Sequence, residues 1–145
     1  MNYWGNKDTS ISFCESKYTE VFWIAEYYNT ISSFMYIFAA LPFLKGKKKN
    51  VALSCMGIGV GSMMLHGTMR YYGQWVDEIS MLLFSYYSLR MVDPYWGYNW
   101  VLYPMLGIYI AQWRHFSVFL SMFLSMQIRI FNILSQRKRI GSYFY

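Results

Sequence analysis

Apolar residues dominate the chain from about position 22 to position 134, interrupted at intervals by short polar or basic stretches. A helix that crosses a bilayer needs about 20 mostly apolar residues, with about 17 to 25 tolerated. On that measure five spans are predicted, at Phe22–Leu44, Val51–Met69, Val76–Met91, Trp96–Gln112 and Phe116–Leu134. The fourth is short and holds Pro104, so a kinked or re-entrant path is expected there. Residues 1–21 read as a polar N-terminal segment and 135–145 as a basic tail, with no composition shift to divide the chain into two domains. The polar stretch ahead of the first run argues against a cleavable signal peptide, so that run reads as an uncleaved span. The expected fold is all-α, a polytopic transmembrane helix bundle.

Composition supports this. Of 145 residues 56% are hydrophobic and only 14% charged, against about 25% charged in a soluble domain. The 6 Trp and 15 Tyr suit a membrane–water interface. The net charge of +6 raises the question of nucleic acid, but the basic residues cluster at Lys45–Lys49 and Gln136–Arg139, each beside an apolar run. That is juxtamembrane charge, so the expected partner is the lipid bilayer and not nucleic acid.

Loop charge also gives an orientation. With the N-terminus outside, the cytoplasmic side carries Lys45, Lys47, Lys48, Lys49, Arg90, Arg137, Lys138 and Arg139. The other side carries Lys7, Lys17, Arg70 and Arg114, so N-terminus out and C-terminus in is predicted. The two cysteines read as one loop thiol, Cys14, and one within an apolar run, Cys55, with no bridge implied.

The stretch GSMMLHGTMRYYGQWVDE, Gly61 to Glu78, departs from a plain membrane helix. Residues four apart share a helix face, so Ser62 and His66 point the same way. A turn at Tyr71–Trp75 would place Asp77 at the head of the returning helix, near the imidazole. Ionisable groups in a membrane segment are costly and face the protein interior or a wet cavity. A His, an Asp and a Ser at such a place suit metal ligation or proton transfer. They equally suit a histidine–carboxylate contact that joins two helices, with Ser bonded back to its own helix. Gly57, Gly59 and Gly61 lie mid-helix, where close helix packing is expected. In the N-terminal part, Glu15 and Glu26 flank the membrane entry. They suit a hard cation such as calcium, a salt bridge or simple exposure.

The N-terminal residues Trp4–Gly5, Thr9–Ser10, Cys14–Glu15, Tyr18, Ala25–Glu26, Asn29–Thr30 and Ser32 resemble the opening block of the alkaline ceramidases. The Gly61–Glu78 stretch is similar to that family's second block, with the Ser, His and Asp spacings kept. The family comprises seven-span zinc amide hydrolases of the endoplasmic reticulum and Golgi, and the two blocks cover about the first 90 residues. The resemblance implies that this chain corresponds to the first part of a seven-span bundle.

It also implies roles. His66 matches a zinc ligand, and Ser62 and Asp77 its catalytic partners, with Asp77 handling the proton of the attacking water. Ser12, Phe13, Glu15, Lys17 and Glu26 stand at calcium-site positions, Phe13 through its carbonyl. The reaction implied is hydrolysis of the amide of ceramide to sphingosine and a fatty acid.

The departures matter. The family's Asp is Ser12 here, and its Asn is Lys17, which has no acceptor with which to ligate a cation. The Lys17 ammonium is therefore expected in the calcium position, paired with Glu15 and Glu26. The family's late histidine pair is absent from these residues, and His115, beside Trp113 and Arg114, reads as interfacial. The zinc site is thus incomplete as written. Either a second chain, an oligomer or a longer protein completes a ceramidase-type hydrolase, or the chain is an inactive relative that binds lipid or a partner.

Overall fold

The computed structural model describes residues 3–93, 99–112 and 115–141. Trp96 of the fourth predicted span, Trp113 and Arg114 of the predicted interfacial group, and residues 142–145 of the basic tail lie outside them. Every regular element among the described residues is helical. These are α1 (Tyr27–Ser32), α2 (Phe34–Ala40), α3 (Lys49–Thr68), α4 (Tyr71–Val92), α5 (Asn99–Ala111) and α6 (Phe116–Gly141). Single 3₁₀ turns at Leu41–Phe43 and Gly46–Lys48 link α2 to α3.

Two helical stretches, Gly46–Thr68 and Phe116–Arg137, are long and apolar enough to cross a membrane. The helix Val101–Ala111 is apolar but shorter. The 22 residues of α4 have the length, yet Gln74, Asp77, Glu78 and Arg90 lower its hydropathy. Large apolar side chains stand exposed on these helices, among them Leu124, Ile128 and Phe131 on α6. Large apolar side chains exposed along such helices suit a lipid environment.

The first predicted span differs from the structure. Helix begins at Tyr27, not Phe22, because Ala25 and Glu26, the latter in an extended conformation, are tied to the end of α3. Their amides donate to the carbonyls of Gly67 and His66, both at 2.9 Å. Those carbonyls belong to the last turn of α3, which has no intrahelical donors for them. The amide of Met69 closes α3 onto Leu65 at 2.7 Å, with Met69 in the left-handed region at φ 53°. Between α1 and α2 the helix tightens for one turn at Ser33, whose carbonyl accepts from Tyr36 at 3.2 Å.

The predicted turn at Tyr71–Trp75 is also corrected. Those residues are the first turn of α4, and only Met69 and Arg70 separate it from α3. The helix starts early because Asp8 reaches it from the N-terminal segment. Asp8 Oδ1 accepts from the Tyr71 amide at 2.6 Å, and its other oxygen pairs with Arg70 Nη2 at 3.1 Å. At the far end of the chain, α6 runs past Leu134 through Gly141, so the predicted tail begins as helix.

The described chain forms two compact units, Met1–Phe84 and Ser85–Tyr145. The first is organised around α3. A β-carbon on Gly61 would lie 2.5 Å from Asp77 N, and one on Gly73 2.5 Å from Leu65 N. One on Gly57 would lie 2.7 Å from Ser80 Oγ. Glycine therefore lets the backbones of α3 and α4 touch, as expected for small residues at a helix interface. Gly59 points the other way, its β-position 2.8 Å from Ile37 and 3.1 Å from the Ser33 carbonyl.

In the second unit, Tyr86, Leu89, Met105, Tyr109, Phe119 and Met126 are buried. Gln127 Nε2 donates to Ser85 Oγ at 2.8 Å, and Arg129 pairs with Asp93 at 2.9 Å.

Candidate functional site

The polar residues singled out above gather in the first unit, around the lower turns of α3. Glu26 is completely buried between the N-terminal segment and α3. An isolated carboxylate there would be very costly, so its partners define the site. Its Oε1 meets the Lys17 ammonium at 2.5 Å, and its Oε2 lies 2.6 Å from His66 Nδ1 and 3.1 Å from Asn29 Nδ2. The Glu26 main chain is tied to His66 as well, through its amide on the His66 carbonyl. One residue thus grips His66 at both backbone and ring.

That contact decides how the imidazole is presented. A carboxylate accepts, so Nδ1 carries the proton, and Nε2 is the nitrogen left to act as an acceptor whenever the ring is neutral. His66 Nε2 makes no hydrogen bond among the described residues. The Phe13 ring packs on the imidazole, with centroids 4.5 Å apart. Only the Phe13 main chain was expected to contribute, so this ring contact is an addition.

Lys17 pairs with Glu26 as expected, but not with the Glu15 carboxylate. It takes the Glu15 main-chain oxygen instead, at 2.7 Å, together with the Phe13 carbonyl at 2.7 Å. The Glu15 side chain turns to the start of α1. Its two oxygens accept the amides of Tyr28 at 2.7 Å and Asn29 at 2.9 Å, a cap on a helix N-terminus. Ser12 is exposed, and its side chain forms no hydrogen bond among the described residues.

Ser62 is buried one turn before His66 on α3. Its Oγ lies 3.1 Å from Ser33 Oγ, which also donates to the Asn29 carbonyl at 2.7 Å. Asp77 packs its backbone against Gly61, the neighbour of Ser62. It does not bond the imidazole: among the described residues, the carboxylate at His66 is Glu26. The Asp77 Oδ1 atom is buried without a hydrogen-bond partner. The next residue, Glu78, is buried and accepts from Gln74 Nε2 at 2.6 Å.

Gln74 was not foreseen. It is buried one turn before Glu78 and holds Ser10 from both ends of its amide. Its Oε1 accepts the Ser10 amide at 2.8 Å, and its Nε2 donates to Ser10 Oγ. A lone Gln in an apolar helix was the available signal, since such a group must find a partner.

A family model described as Ceramidase matches residues 5–140. The chain belongs to the ceramidase family. It is 30% identical over 119 residues to an alkaline ceramidase of Arabidopsis thaliana, covering 76% of this chain and 47% of that protein. It is 29% identical over 122 residues to the putative alkaline ceramidase dcd3B of Dictyostelium discoideum, covering 65% of this chain and 43% of the relative. Alkaline ceramidase 3 of Mus musculus is 31% identical over 88 residues, 55% of this chain and 33% of that protein. The chain thus spans less than half the length of these relatives.

The family implies metal ions, and the donors present can be tested against them. A catalytic zinc takes three protein ligands and a water. The described residues contain no group of three His, Cys, Asp or Glu side chains placed to hold a metal ion. His66 Nε2 and Asp77 Oδ1 are donors of the right kind, but they do not make a zinc site by themselves. The calcium positions fit less well, because the Lys17 ammonium already stands on their oxygens.

Proposed function

We propose that this chain belongs to a membrane-embedded hydrolase of the alkaline ceramidase type, directed at the amide of ceramide-like lipids. The observation that carries the reading is the presentation of His66. Glu26 occupies Nδ1, Nε2 is left unbonded, Ser62 lies one turn earlier on the same helix face, and Asp77, whose Oδ1 is buried without a hydrogen-bond partner, packs its backbone against Gly61. A buried polar atom with no protein partner is rare, and at a family site it suits a group that binds ligand or water.

In this reading Asp77 takes a proton from the attacking water and passes it to the leaving amine. The Ser62 hydroxyl donates to the developing oxyanion. The acyl chain enters from the bilayer. Zinc dependence, an endoplasmic reticulum or Golgi membrane, and an N-terminus on the side away from the basic loops follow from the resemblance and the loop charges. Turnover needs donors beyond those described, whether from further residues or from a second copy or chain.

The test is sphingosine release from ceramide by detergent-purified protein, with His66→Ala as control. Release by the parent and none by the variant supports the hydrolase. No release from either overturns turnover by this chain and copies of itself, the outcome also expected of a second reading, a lipid-binding relative without turnover. That alternative rests on the same donor shortage.

A further inference from the structure

Three oxygens converge on the end of Lys17. Its Nζ lies 2.7 Å from the Phe13 carbonyl, 2.7 Å from the Glu15 carbonyl and 2.5 Å from Glu26 Oε1. An ammonium has three N–H donors and no acceptor, so these contacts use its whole capacity. Main-chain carbonyls and a carboxylate are also the ligands that a hard divalent cation takes. The position is thus built for a positive charge, and the chain supplies that charge itself.

We propose that Lys17 is a tethered cation that locks residues 13–26 onto α1 and α3 without a divalent ion. Charge balance supports this. Buried Glu26 carries one negative charge, and the ammonium neutralises it. The other nearby carboxylate, Glu15, faces the amides of Tyr28 and Asn29 and not Lys17. A calcium ion would have to displace a cation that is covalently held in place, whose effective concentration is correspondingly high. The lock closes a sharp bend, because Tyr18 follows in the left-handed region at φ 57°, its amide on the Ala25 carbonyl at 2.8 Å. The lock stands independently of whether the protein turns over ceramide.

The test uses the full chain in detergent, titrated calorimetrically with calcium chloride and unfolded thermally with either calcium or EGTA. The parent protein is expected to show no saturable calcium binding and one midpoint in both conditions. Lys17→Asn replaces the ammonium with an amide oxygen. Its midpoint is expected to fall in EGTA and to recover when calcium is added. Equimolar calcium binding by the parent, or a parent midpoint lowered by EGTA, would overturn the proposal. So would a Lys17→Asn protein as stable in EGTA as the parent. If that variant yields no folded protein, the calcium titration of the parent decides alone.

Discussion

Glu26 holds His66 twice, with its carboxylate 2.6 Å from Nδ1 and its amide 2.9 Å from the histidine's own carbonyl. The ring is therefore fixed by a residue 40 positions earlier in the chain, which is itself neutralised by Lys17. A histidine held this way has one defined tautomer, the arrangement that outer partners impose on metal-binding imidazoles.

Replacing Glu26 should release that ring and destabilise the fold. Removing one partner of a buried ion pair typically costs about 3–5 kcal/mol, and Lys17, partly exposed, would recover some of this from solvent. Glu26→Leu is expected to lower the unfolding midpoint in detergent. Nitrogen NMR of labelled His66 should show a mixture of tautomers in place of one. A single unchanged tautomer would mean that the Nδ1 contact does not orient the ring.

The glycines give a graded series. A β-carbon on Gly61 meets main-chain atoms of Asp77 at 2.5 and 2.6 Å, which cannot move without separating α3 from α4. On Gly57 the obstacle is the Ser80 hydroxyl, a side chain that can rotate. On Gly107 nothing lies within 4 Å. Overpacking costs about 1–3 kcal/mol, while an unhindered Gly→Ala in a helix gains about 0.5–1 kcal/mol. Thermal midpoints should therefore rank Gly107→Ala above the parent, Gly57→Ala below it and Gly61→Ala lowest. Equal midpoints for the Gly57 and Gly61 variants would contradict the backbone contact.

Gln74 and Asp8 should each anchor the N-terminal segment to α4. Gln74→Ala strips a buried partner from the Ser10 amide and from Glu78, a loss of about 1–3 kcal/mol. Asp8→Ala uncaps α4 at Tyr71, worth about 0.5–2 kcal/mol. Limited proteolysis should cut between residues 3 and 26 faster in both variants. Unchanged cleavage would show that the segment is held elsewhere.

Local pattern and long-range contact divide what the sequence reveals. The apolar runs of α3 and α6 and the spacing of Ser62 and His66 are local properties, so they could be read directly. So could the packing role of Gly57 and Gly61, because a four-residue spacing puts both on one face. The starts of α1 and α4 are not local. Tyr27 begins its helix because Ala25 and Glu26 cap α3, and Tyr71 begins its own because Asp8 accepts its amide. The partner of His66 followed the same rule. Asp77 is nearer in sequence, yet the chain brings Glu26 to the ring. The Lys17–Glu26 pair was legible only because the resemblance marked both positions.

Asp77 offers the sharpest separation of stability from chemistry. Its Oδ1 is buried without a hydrogen-bond partner, an arrangement that costs folding energy. Asp77→Asn keeps the shape and removes the charge, so the unfolding midpoint is expected to stay or rise. Any His66-dependent sphingosine release should fall by about 10²–10⁴-fold, the usual contribution of a positioned acid–base group. Loss of release together with a lower midpoint would make Asp77 a structural residue. A stable protein that no longer hydrolyses ceramide would place the carboxylate at the reacting centre, because destabilising groups are tolerated where function needs them.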